Sequence, residues 1–202
     1  MKKFNLVAIA SLLAISLLSL TVPSFAQTGV TQSLTNLSNR GATYRAYAKD
    51  IAIATSPSDI FILNGSATKT IYVKKITFVG AQTLAATLNL DLVHRTVANA
   101  GGTATALTEY KLDSGNATAT AVAQAYTGNP TTIGTGVTIG GTKYHIVPIT
   151  PTVQAGILTW TFGETMNQNL VLRGVAQGVA LSLTSNTSTG AKASIEIEWI
   201  EQ

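Results

Sequence analysis

Two histidines, nine carboxylates and six tyrosines are the side chains from which this 202-residue chain could build a reactive or binding centre. Neither His94 nor His145 belongs to an HxH or HExxH pattern, and no carboxylate lies at ligand spacing from either, so no zinc site is written locally. The absence of cysteine excludes thiolate metal sites and disulfides. Asp59, Asp91, Glu109, Asp113 and Glu164 are scattered, whereas glycoside hydrolysis needs two carboxyls facing each other across a cleft. "GTGVTIGG" has neither the lysine nor the following helix of a phosphate loop, and "LDSGNAT" places only Asp113 and Asn116 at calcium-like spacing. These patterns name no catalytic residue, no cofactor and no metal. A hydrolase would have to assemble His145, Glu164 and Asp113 from separate loops. Aromatic stacking on sugar rings is the other available chemistry. Tyr110, Tyr126 and Tyr144 lie around expected loops and are the ligand-binding candidates of a secreted carbohydrate-binding β-sandwich module, with Tyr44 and Tyr47 nearer the N-terminus.

Strands are the elements that must position these groups. "AATLNLDLVHRT" alternates cleanly, with Leu88, Leu90 and Leu92 on one face and Thr87, Asn89 and Asp91 on the other. "ASIEIEWIEQ" alternates Ile195, Ile197 and Trp199 with Glu196 and Glu198, which reads as a charged guard on an exposed or edge strand. "DIFILNGSATKTIYVKKITFVG" reads as a hairpin, and its apolar phase slips by one residue after Lys75. A β-bulge or a strand changing sheets would produce that slip. "NATATAVAQAYTGNP" is alanine-rich, but Thr118, Thr120 and Val122 in strict alternation favour a strand over a helix. "NPTTIGTGVTIGG" is expected to be loop. About nine or ten short strands result. The fold expected is all-β, an antiparallel β-sandwich of jelly-roll form.

The chain opens with Lys2 and Lys3, an apolar stretch from Leu6 to about Leu20, then Pro23 and Ser24-Phe25-Ala26. This predicts a secretory signal peptide over 1–26, an extended arm over 27–42 and a sandwich domain over 43–202. The protein is then exported, to the periplasm, the cell surface or the exterior. No later segment is apolar for long enough to span a bilayer as a helix. Two of the 13 Lys and Arg fall in the leader, so the remaining excess over nine carboxylates is two. With no basic run among aromatics, direct nucleic-acid binding is not expected. Charged residues make up only 11% of the chain, and small polar residues abound, a surface suited to contact between subunits.

The "GSATKTI" turn, "HRTVANAGGT", "AYTGNP" and the "VLRG…IEWIE" ending resemble small β-rich proteins of tailed-phage genomes, virion structural proteins of the decoration, fibre or capsid-associated kind. The resemblance runs from about Asp59 to Gln202. It implies a self-assembling, non-enzymatic structural role with copies of itself or other surface or virion proteins as partners, and it transfers no catalytic residue. The signal peptide departs from that pattern, because virion proteins are assembled in the cytoplasm.

Overall fold

Period-two alternation builds two facing sheets, and the core lies between them. The computed structural model describes residues 41–53, 57–81, 86–146, 156–163, 168–186 and 191–202. The expected signal peptide and nearly all of the expected arm lie outside these residues, and Ala42 already belongs to the first strand. Among the described residues there are twelve strands and no helix. They are β1 (Ala42–Ala52), β2 (Ser58–Asn64), β3 (Thr70–Ala81), β4 (Ala86–Arg95), β5 (Thr103–Ala106), β6 (Glu109–Lys111), β7 (Val122–Gly128), β8 (Gly136–Ile146), β9 (Ile157–Thr161), β10 (Leu170–Arg173), β11 (Gly178–Asn186) and β12 (Lys192–Glu201).

All pairings are antiparallel. One sheet runs β10-β3-β12-β1-β6, with β9 also on β3; the other runs β5-β7-β2-β11-β4-β8. The first four strands alternate between sheets, and β8, β9, β11 and β12 return beside them in reverse order. The row β1-β12-β3-β9 therefore faces β2-β11-β4-β8, which is the double Greek key of a jelly roll. Strands β5 to β7 are an insertion that widens both sheets beyond β1 and β2. Leu88, Leu90, Leu92, Val179, Leu181 and Leu183 meet Ile71, Val73, Ile76, Phe78, Ile195, Ile197 and Trp199 across the interior, all essentially buried. Trp199 stacks on Tyr44 at 5.8 Å, and the Tyr44 hydroxyl donates to Ala117 O at 2.9 Å.

Several sequence expectations are refined. The apolar runs β2 and β3 do not pair as a hairpin; they lie in opposite sheets. Their five-residue link is held by the Ser66 hydroxyl, which accepts from the Thr68 and Lys69 amides, while the Gly65 amide bonds Gln177 O. A Cβ on Gly65 would lie 2.5 Å from Gly174 O, so only glycine makes this corner. The phase slip in β3 is a bulge. Glu198 pairs with Lys75 and Trp199 with Val73, which leaves Lys74 as the extra residue. On the other flank of β3, β10 pairs residues 70–73 and β9 pairs residues 75–79, so the bulge marks the change of partner.

The glycine-rich "GVTIGG" is not loop but the first half of β8. Its glycines permit close approach. A Cβ on Gly136 would meet His94 O at 2.5 Å, and one on Gly141 would meet the Asp91 carboxylate at 2.7 Å. In the alanine-rich segment the strand begins only at Val122, with Ala123 and Ala125 inward. Glu196 and Glu198 sit on an interior strand, not on an edge, and both pair with Arg45.

Candidate functional site

The buried polar groups come first, because reactive centres are built from such groups. Asp59, the second residue of β2, is fully buried. Arg95 ends β4 and holds it through two bonds, Nη2 to Oδ1 at 2.6 Å and Nε to Oδ2 at 3.0 Å. Asn99 donates to Asp59 Oδ2 at 2.8 Å and to the Tyr126 hydroxyl at 3.1 Å, and its own oxygen accepts from the Gly134 amide at 2.8 Å. Arg95 also donates to Gly134 O. These bonds fasten the segments after β4 and before β8 onto the outer face of their sheet, over Ile62, Tyr126 and Ala180. Burial, the largest influence, pushes the Tyr126 phenol above its ordinary range.

Glu201, at the end of β12, is 1% exposed. It accepts from the Thr120 and Ala121 amides, the Thr120 hydroxyl and the Trp199 indole, all within 3.1 Å. Burial chiefly, and the Glu201 charge next, raise the Tyr44 phenol as well. Both carboxylates accept from groups that tie one segment to another. A nearby groove of about 310 Å³ is lined by their partners Asn99 and Thr120 and by Tyr126, with neither carboxylate in its wall. They act as fasteners.

The sequence candidates are not brought together. Tyr126 and Tyr144 are 8% and 9% exposed. The Tyr144 ring meets Phe78 edge-on, and its hydroxyl donates to Gly156 O and accepts from the Gly80 amide. Held this way, the Tyr144 ring offers no platform to a sugar, and Tyr126 presents only a narrow edge to the groove of about 310 Å³ that it lines with Asn99 and Gln124. Tyr110 is exposed and stacks on Tyr47. His145 shares a hydrogen bond with the Thr87 hydroxyl, Asp113 accepts from Gly115 within its own turn, and Glu164 lies outside the described residues. Among the described residues no three histidine, aspartate or glutamate side chains gather as metal ligands.

His94 is partly buried beside Val179, and its Nε2 is enclosed without a partner. Burial lowers its pKa below the ordinary 6.5. The unfolded chain then binds this proton more readily than the folded one. Stability should be flat above pH 6.5 and fall as pH drops below it, toward the folded pKa. Urea midpoints measured from pH 7.5 to 5 should show that slope reduced in His94→Leu relative to the parent; equal slopes would contradict the assignment.

The surface is distinctive at one edge. Edges built by β5, β6, β9 and β10 are three to five residues long, which blunts them, whereas β8 is an eleven-residue edge strand with no partner on its outer side among the described residues. Between Thr127 and Thr142 the chain has no charged side chain. Among the described residues ten large hydrophobics are exposed, and four of them, Val97, Ile133, Val137 and Ile139, lie on β8 or on the segments bonded beside it. A single bulge at Ile139 interrupts the strand.

No family model, curated protein or solved structure matches this chain. The uncharged first part of β8, Gly136 to Thr142, offers backbone donors and acceptors to another strand. Among the described residues no helix is long and apolar enough to cross a membrane.

Proposed function

We propose that the chain is an exported, non-enzymatic structural protein that assembles with copies of itself by antiparallel pairing of β8 edges. The observation that carries this reading is the outer edge of β8, unpaired among the described residues and uncharged from Gly136 to Thr142, beside a cluster of exposed aliphatic side chains. Pairing two such edges about a two-fold axis would join two six-stranded sheets into one of twelve. With Thr138 on the axis, Val137 of one copy meets Ile139 of the other on both sides. Lys143, the charged residue nearest the axis, then falls opposite Ile133 and not against its own copy. Edges meant to stay free usually carry a charged guard, and here the only one on the strand, Lys143, stands in its second half, leaving Gly136 to Thr142 without one. A virion-like or cell-surface lattice is the assembly that the sequence resemblance implies.

Lysine at both positions tests this. Val137 and Ile139 are 65% and 43% exposed, so V137K/I139K should fold with unchanged circular dichroism. Light scattering after size exclusion should give a multiple of the chain mass for the parent and a monomer for the variant. A parent that stays monomeric at high concentration overturns the reading, as does a variant that keeps the parent's mass.

A further inference from the structure

We propose that the outer face of the sheet containing β1, β12 and β3 binds a saccharide in an open groove walled by Tyr47 and Lys49. This site is remote in the fold from the β8 edge and does not depend on assembly. Register places Tyr47 beside Glu196 and Glu196 beside Thr77. The groove over these residues and Ser194 measures about 330 Å³, at the small end of the roughly 300–1,000 Å³ typical of ligand sites.

The chemistry of the walls selects the ligand. Tyr47 and Tyr110 are parallel within 6°, 5.4 Å apart, and 41% and 46% exposed. Tyr110 covers one face of Tyr47 and holds the ring upright, and the part of Tyr47 that lines the groove suits the C–H face of a pyranose. Thr77 and Ser194 supply short hydroxyls at the floor. Glu196 places one oxygen 3.5 Å from Arg45 and keeps the other to accept from a sugar hydroxyl. The Lys49 ammonium lies 5.3 Å from the Tyr47 ring centre, with no carboxylate partner among the described residues, and can donate to hydroxyl or carboxylate oxygens. A peptide fits less well, because the two strands of the groove floor, β12 and β3, pair with neighbours on both sides through residues 195–196 and 77–79.

Affinity electrophoresis of the purified protein through gels containing laminarin, xylan, hydroxyethyl cellulose or alginate tests the proposal. At least one gel should retard the parent. Tyr47→Ala should weaken that retardation about tenfold, Tyr47→Phe should weaken it less, and Glu196→Gln should also reduce it. Tyr126→Phe alters a buried ring and should leave it unchanged. Thermal melts should show Tyr47→Ala folded, as expected for an exposed side chain. No retardation in any of the four gels overturns the proposal, and so does equal retardation of the parent and Tyr47→Ala.

Discussion

Glu201→Ala is expected to lower the free energy of unfolding by about 3–5 kcal/mol. The carboxylate receives four donors, two of them backbone amides in the segment that leads into β7. Alanine removes the acceptor and leaves the Ala121 amide and the Trp199 indole enclosed without partners, while the exposed Thr120 turns to water. Each such loss costs about 1–3 kcal/mol, and they do not sum fully because the segment can loosen. The melting temperature of a domain this size should fall by roughly 10 °C. Glu201→Gln should also destabilise, because its amide group would turn donors toward donors. A change below about 1 kcal/mol in Glu201→Ala, read from urea unfolding, would mean that the carboxylate is not the fastener described.

Asp59→Ala should cost a similar amount, about 3–5 kcal/mol, because it strands a buried guanidinium. Arg95 is 8% exposed, and both of its bonds to Asp59 would be lost. Asn99 would lose one of its two acceptors and so release the segment over Ile62 and Ala180. Replacing both charges, as in Asp59→Leu with Arg95→Met, should recover much of the loss. Well-packed apolar pairs commonly match buried ion pairs in stability. A double variant no better than Asp59→Ala alone would show that Asn99 and Gly134 need the carboxylate and guanidinium themselves.

These two fasteners also show what the sequence could reveal. Glu201 continues the inward phase of Ile195, Ile197 and Trp199, so the alternation already placed a carboxylate among core residues. The bulge at Lys74 was visible as the slip after Lys75, and the leucine faces of β4 and β11 were plain. Three features were not legible. Whether β2 and β3 share a sheet depends on which distant strands flank them, and the turn residues do not encode that. The strand character of "GVTIGG" comes from its partner β4, since three glycines lower its own preference. The burial of Tyr126 and Tyr144 depends on an insertion and on an edge strand whose positions only the assembled sandwich fixes. Tyr47 carried a local signal: it lies in the outward phase of β1 with Arg45, opposite Tyr44, Ala46 and Ala48.

Jelly rolls serve both as capsid subunits and as lectins, so the fold alone does not choose between assembly and sugar binding. Here the two readings occupy different surfaces, and each can fail without the other. Assembly through β8 makes the more direct claim about the backbone. Hydrogen exchange of the Gly136–Ile146 amides, followed by mass spectrometry at low and high protein concentration, tests it at the bonds concerned. Exchange at Gly136–Gly140, the residues paired across the two-fold axis, should slow as concentration rises, while β5 and β6 are unaffected. Exchange in β8 that is fast and independent of concentration would contradict it.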